Sequence, residues 1–375
     1  MMYNNLLTVV SFPGDYLAEV PFWVAIVAGT ILSFLVAWFG IPSVVRLAQI
    51  KNLYGEPGER DSHVIPTPRL GGTMVFAGVV LSSVLFTGFG PLDELKYIIT
   101  GMLVLFFIGV KDDVVSLAPH KKAIGQLIAA LIVVVAADLR VTSFYGLFGI
   151  NEIPWLPGVL LTIMGIMVVI NSFNFIDGID GLASGIGIVG SVTMGLWFIY
   201  LGDISYAVMA FSLAGALLAF FWYNTHSERH KSFLGDTGSM IIGFLLSLFV
   251  LRYLELVNEQ TGFNFVLATS PSVALSVLFI PLFDAVRICI VRLSKGKSIF
   301  KADSNHIHHK VLQLTGSHLK STYSILGVNL LIVMVASLCW SVSNWVLVPS
   351  IIVFAIVSIL YVELRVKQNN NGKGC

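Results

Sequence analysis

Long apolar runs separated by short polar breaks set the pattern of this chain. A helix needs roughly 20 apolar residues to cross the hydrocarbon of a bilayer. Runs of about that length, some shorter, lie near 22–42, 70–90, 96–110, 122–138, 156–173, 182–201, 204–224, 239–256, 272–293, 322–341 and 346–364. The pattern predicts an all-α, polytopic membrane helix bundle of about eleven transmembrane helices. Residues 1–366 form one transmembrane catalytic domain in this reading, and 367–375 a short disordered cytoplasmic tail.

The polar breaks orient the bundle. If the spans alternate, 43–69, 111–121, 174–181, 225–238, 294–321 and the C-terminal tail share one side. With Arg287 and Arg292 at the end of the ninth run, that side holds all of the 22 Lys and Arg residues except Lys96, Arg140 and Arg252. Basic loops stay in the cytoplasm, so the N-terminus is expected outside and the C-terminus inside. The first basic residue is Arg46, beyond the first apolar run, so 22–42 reads as a retained span and not as a cleaved signal.

Composition narrows the class. The chain is 56% hydrophobic and only 11% charged, against roughly 25% charged in soluble domains, which excludes a water-soluble fold. A net charge of +1 offers nothing to nucleic acid. Cys289, Cys339 and Cys375 are too scattered for a disulfide framework or a zinc site. No internal repeat is visible.

Acidic residues beside a membrane span are costly and need a reason. Here Asp112 and Asp113 follow the apolar run ending at Val110, Asp177 and Asp180 sit in Asn171-Ser-Phe-Asn174-Phe-Ile-Asp177-Gly-Ile-Asp180-Gly, and Asp236 in Phe233-Leu-Gly-Asp236-Thr-Gly-Ser239. All five fall on the cytoplasmic side. Singly, each reads as a helix cap; gathered at one face, they repel one another unless a cation joins them. Magnesium, with manganese as the alternative, takes oxygen ligands and shares them with substrate phosphates. Gly178, Gly181, Gly235 and Gly238 allow tight turns and close approach to a phosphate. Asn171 and Asn174, three apart, share a helix face leading to Asp177.

The last cytoplasmic loop carries His306, His308 and His309, flanked by Lys301 and Lys310. Imidazoles in this pattern suit phosphate contact, proton shuttling or metal binding; phosphate contact is favoured, because carboxylate partners at metal-site spacing are missing. The first cytoplasmic loop, Arg60-Asp61-Ser-His63-Val-Ile-Pro66-Thr-Pro68-Arg69-Leu-Gly71-Gly72, is stiffened by two prolines and on physics alone reads as a connector. Gly296-Lys297-Ser298 is no nucleotide P-loop, because Val291 stands where the leading glycine belongs.

Together these segments resemble the polyprenyl-phosphate N-acetylhexosamine-1-phosphate transferases over residues 40–310, with five motifs in the family's order: His63 to Gly72, Asp112-Asp113, Asn171 to Leu182, Phe233 to Ser239 and His306-Ile-His-His309. The resemblance implies that undecaprenyl phosphate attacks the sugar-linked phosphorus of a UDP-N-acetylhexosamine, releasing UMP at the inner face of the bacterial cytoplasmic membrane. It also implies roles. Asp236 and Asp113 would hold the metal, and Asp112 would be the base toward the lipid phosphate, with a covalent aspartyl-phosphate route left open. Asp177 is grouped with the catalytic pair. His63, Arg69, Asn171, Asn174, Asp180, His306, His308 and His309 would bind substrate. A homodimer is expected because the resembled family often forms one.

Within that family, the phospho-MurNAc-pentapeptide translocases carry three consecutive histidines after a proline and a lysine three residues after their paired aspartates. This chain has His-Ile-His-His and Ser116 there, and so looks more like the GlcNAc-1-phosphate branch that starts O-antigen, common-antigen, teichoic-acid or capsule assembly. Three rivals fit less well. A secondary transporter would place its charges near the bilayer midplane, an intramembrane aspartyl protease would need a second Asp inside a facing span, and a CDP-alcohol transferase would need a longer Asp-Gly signature.

Overall fold

The computed structural model describes residues 9–10, 20–51, 53, 67–87, 94–144, 149, 152–259, 264–294, 296, 306–339 and 342–372. Apart from an antiparallel pair of two-residue strands, β1 (Val9–Val10) and β2 (Val20–Pro21), the described secondary structure is helical. The helices are α1 (Phe22–Lys51), α2 (Gly71–Phe86), α3 (Glu94–Val115), α4 (Pro119–Leu131), α5 (Trp155–Ile176), α6 (Leu182–Leu201), α7 (Ile204–Thr225), α8 (Gly235–Glu259), α9 (Asn264–Ser294), α10 (Ile307–Thr315), α11 (His318–Leu338) and α12 (Asn344–Gly372). A π-helical turn, Ile132–Ala136, extends α4.

Among the described residues, nine helices are long and apolar enough to cross a bilayer: α1, α4 with its π turn, α5 to α9, α11 and α12. The two remaining runs of the expected eleven are α2, only 16 residues long, and α3, whose apolar middle is flanked by Lys96 at one end and Lys111, Asp112 and Asp113 at the other. The chain is a multi-pass membrane protein. Two further expectations differ from the structure. Residues 307–315, taken as part of a loop, form the short helix α10. Residues 367–372 of the supposed tail continue α12, because the preceding turns have already nucleated the helix and each added residue costs little.

One helix organises the rest. In its apolar window α8 is 83% buried, against 17% for α12 at the lipid-facing edge, and it packs against α2, α3, α5, α6 and α9. Small residues let the helices close in, as expected where lipid gives no hydrophobic drive for helix association. Ser82 Oγ of α2 donates to the Gly29 carbonyl of α1 at 2.6 Å and lies 2.7 Å from Ser212 Oγ of α7.

Two of the three exceptions to the basic-side rule, Arg252 and Arg140, are neutralised where they stand. Arg252 lies 2.9 Å from Asp203 and 2.9 Å from Glu255, while Arg140 donates to Asp138 at 3.0 Å. Tyr206 completes the Arg252 cluster by donating to Glu94 at 2.8 Å. This closes the end of the bundle opposite the acidic residues.

Candidate active site

The site is built around the start of α8. Gly235, at φ +70°, turns the chain into the helix, and an added Cβ there would lie 2.3 Å from the Arg69 carbonyl and 2.6 Å from Asp113 Oδ1. Asp113, at the end of α3, spends both oxygens on the first turn of α8. Oδ1 accepts from the Asp236 backbone N–H at 2.7 Å, and Oδ2 from the Thr237 N–H at 3.1 Å and hydroxyl at 2.6 Å. This satisfies donors that a helix leaves unpaired at its N-terminus. Asp113, expected as a metal ligand, is thus the anchor that joins α3 to α8.

Its neighbour looks elsewhere, because successive helical residues point about 100° apart. Asp112 Oδ1 accepts from the Leu117 N–H at 2.5 Å and Oδ2 from Lys122 Nζ at 2.8 Å. The same ammonium lies 2.5 Å from Asp236 Oδ2, so Lys122 of α4 bridges the two carboxylates. Asn174 of α5 donates to the other oxygen of Asp236 and, at 3.1 Å, to Ser239.

The loop that leads into α2 is more than a connector. Phe233 N–H donates to the Pro68 carbonyl at 2.9 Å, while Gly71 and Gly72 N–H donate to Phe233 and Leu234 carbonyls, both at 3.0 Å. The segment 68–72 therefore docks along 233–234 and brings Arg69 to the cavity wall. His63 lies outside the described residues.

The turn after α5 is tied down from two helices, α7 and α11, and from the segment that joins α7 to α8. Gly181, at φ +79°, donates its N–H to Asn224 at 2.6 Å; Thr322 donates to the Asp180 carbonyl at 2.7 Å, and Lys231 to its carboxylate at 2.7 Å. Burial pushes Asp177 well above the usual carboxylate range; Asp113 and Asp180 push the same way, and Arg69 opposes them.

Above this turn sits α10. His306, His308 and His309 form a ring cluster, with His306 and His308 stacked at 5.3 Å and His308 and His309 at 4.3 Å. The room for His308 comes from Gly178, where a Cβ would fall 2.5 Å from Nε2. Burial pushes the His308 imidazole down to about 3, with His309 acting the same way and Asp284 opposing. An unfolded chain would protonate this ring near 6.5. Its contribution to stability is therefore complete above about pH 6.5 and lost as pH falls toward 3. His308→Gln is expected to lessen the drop in thermal midpoint between pH 7.5 and 5, read in detergent against the parent protein; an undiminished drop would assign the acid sensitivity to other groups.

These elements enclose a cavity of about 330 Å³. Arg69, Asp112, Asp113, Asn174, Asp177, Asp180, Asp236, His306, His308 and His309 all line it, so ten of the site residues expected from sequence converge. Asn171 does not: one helical turn deeper, it exchanges hydrogen bonds with Gln126, donating at 2.8 Å, and donates to the Met167 carbonyl at 2.7 Å. Its place is an interhelical amide pair.

Known proteins carry the same arrangement of sequence. Residues 95–254 match the family model described as glycosyl transferase family 4. The chain is 32% identical over 304 residues to a decaprenyl-phosphate N-acetylglucosaminephosphotransferase of Mycobacterium tuberculosis, covering 76% of this chain and 75% of that protein. It is 34% identical over 292 residues to an undecaprenyl-phosphate alpha-N-acetylglucosaminyl 1-phosphate transferase of Salmonella typhi, covering 76% and 77%. With a probable undecaprenyl-phosphate N-acetylglucosaminyl 1-phosphate transferase of Bacillus subtilis it shares 29% over 324 residues, 86% and 87% of the two chains. The chain belongs to glycosyl transferase family 4. In this family 4 protein the matched stretch holds all five clustered aspartates and also Lys122, Asn224 and Lys231, polar partners that sequence reasoning missed. Lys122 reads as a basic flank of a span, and nothing along the chain pairs it with Asp236.

Proposed function

We propose that the protein transfers N-acetylglucosamine-1-phosphate from UDP-N-acetylglucosamine to undecaprenyl phosphate at the cytoplasmic face of the bacterial inner membrane, releasing UMP. The observation that carries this reading is the acidic, histidine-capped cavity at one end of a membrane bundle, beside an apolar groove. That groove has a volume of about 180 Å³ and shares His308 with the first cavity. Phe279, Phe283, Ile325 and Ile332 line it. A prenyl tail lying there brings its phosphate to the acidic cavity, a geometry that a lipid acceptor needs and a transporter does not.

Both reactants are anionic, so the work of the site is positioning and charge neutralisation. An oxygen of the lipid phosphate forms a bond to the sugar-linked phosphorus, and the bond from that phosphorus to the UMP oxygen breaks. The second ionisation of a phosphate monoester lies near 6, so at neutral pH the attacking oxygen is mostly deprotonated already. A base is then not needed, and Asp112 serves to hold positive charge, that of Lys122 and of a metal ion. Arg69 and Lys122 carry positive charge toward the diphosphate, and Asn174 and Asp180 shape the cavity around the nucleotide.

The residues present suit a divalent cation. Asp112, Asp177 and Asp236 line one cavity, and hard oxygen donors are what magnesium takes. Asp236, with Asp112 and Asp177 beside it, would hold the ion. When bound, magnesium or manganese supplies neutralisation of the diphosphate and of the leaving phosphate.

Purified protein given UDP-N-acetylglucosamine, undecaprenyl phosphate and magnesium is expected to release UMP. UDP-N-acetylgalactosamine and UDP-MurNAc-pentapeptide are expected to be poorer donors. Release of UMP from none of the three overturns the reading. Lys122→Gln is expected to lower turnover about 100-fold, the loss typical of one preorganised charge aimed at a reacting oxyanion. An unchanged rate would reduce Lys122 to a spacer between carboxylates.

A further inference from the structure

Asp284 lies in the middle of α9 and is only 2% exposed. Its two oxygens are directed at the start of α10. Oδ1 accepts from the Ile307 backbone N–H at 3.0 Å and from Arg287 Nη2 at 3.2 Å, while Oδ2 lies 2.8 Å from His306 Nδ1. His306 lines the catalytic cavity, whereas Asp284 lines only the apolar groove beside it. What Asp284 contributes to the phosphate chemistry therefore passes through that imidazole, and any contribution through the groove wall would show in the KM for the lipid acceptor.

The chemistry of the contact is one-sided. An ionised carboxylate only accepts hydrogen bonds, so the ring nitrogen facing it carries the proton. Nδ1 is then fixed as N–H and Nε2 becomes the nitrogen offered to a substrate. The ring is also held in place, with Phe175 at 5.7 Å and His308 stacked at 5.3 Å. The backbone bond to Ile307 ties the first turn of α10 to the same carboxylate. Arg287 and Lys310 reach Glu363 of α12 and moor the helix from its other side.

A metal is the competing use for these groups, since ligand atoms of Asp284, His306 and His308 lie within 4.8 Å of one another. Arg287 decides against it. Its guanidinium already sits on the Asp284 carboxylate, where a second cation would be repelled.

We propose that Asp284 is a positioning residue for the sugar-phosphate transfer, fixing His306 in the Nδ1–H state with Nε2 presented to the bound donor. This rests on the transferase reading, and the test has two arms so that the two can fail separately. The first needs no turnover. Solid-state 15N spectra of histidine-labelled protein in bilayers, with His306 assigned by its absence in His306→Gln, are expected to show a proton on Nδ1. Asp284→Ala is expected to lose that state. A bare Nδ1 in the parent protein overturns the proposal, even if the enzyme is active.

The second arm is kinetic. Asp284→Asn keeps an acceptor for Ile307, and so is expected to melt close to the parent. Asp284→Asn and His306→Gln are each expected to lower kcat/KM for the UDP-sugar by about 10- to 100-fold, the range for removing a carboxylate that orients a working histidine. The double variant should be no worse than His306→Gln alone, and KM for the lipid acceptor should not move. Asp284→Glu should recover part of the loss and stands in if the Asn variant does not fold. Losses that multiply, or an Asp284→Asn enzyme with the parent's rate, overturn the proposal. A parent protein inactive with every donor overturns the transferase reading, while the spectra still judge the pair.

Discussion

Asp236→Asn is expected to cut UMP release on the order of 1,000-fold while leaving the protein folded. That loss corresponds to about 4 kcal/mol of transition-state stabilisation, at 1.36 kcal/mol per tenfold. The fold should survive because the link to Asp113 uses the backbone N–H of residue 236, which the substitution retains. An asparagine also keeps an acceptor for Asn174. What disappears is the negative charge beside Lys122, and the new amide can turn a donor toward an ammonium 2.5 Å from the old oxygen. Paired measurements of UMP release and thermal midpoint decide the matter. A variant as fast as the parent would remove Asp236 from the charge-holding role, and one that unfolds would make it structural.

Gly72→Ala is expected to act on the scaffold. A Cβ at residue 72 would stand 2.3 Å from the Gly238 nitrogen, and 2.5 Å from both Gly238 Cα and the Leu234 carbonyl. Every one of these atoms is backbone, so no flexible side chain can swing away. Overpacking of a tight interior costs about 1–3 kcal/mol, and this contact belongs at the upper end. The methyl would also push apart the Gly72 N–H and Leu234 carbonyl, now 3.0 Å apart, and so shift Arg69 from the cavity. Both the thermal midpoint in detergent and the rate should fall. Gly165→Ala in α5, where a Cβ meets nothing within 4 Å, is the matched control and should change neither. Equal melting of the two variants would refute the close apposition of α2 and α8.

The helical, membrane-spanning architecture was largely legible along the chain, because run length reports directly on a bilayer. The acidic centre was legible for a related reason: carboxylates at the edge of a span need partners, and five of them need a common one. What stayed hidden were pairings across space. Lys122 looks like any basic residue at a membrane border until α4 is seen beside α8. Asp284 falls inside an apolar run, and its partner lies 22 residues away behind a polar loop. Asn171 misled because spacing places a side chain on a face but not at a depth; one turn along α5 separates a cavity wall from an interhelical amide. The first loop gave no sign that its glycines dock on Phe233 and Leu234.

The bridge from Lys122 to Asp112 and Asp236 bears on how this enzyme rests between catalytic cycles. Its own ammonium serves as a built-in counter-ion, so the carboxylates do not depend on a dissolved one to stay together. Chelation should accordingly silence the protein without melting it: EDTA is expected to abolish UMP release and leave the thermal midpoint where it was. A midpoint that collapses on chelation would mean that the divalent ion is a structural strut.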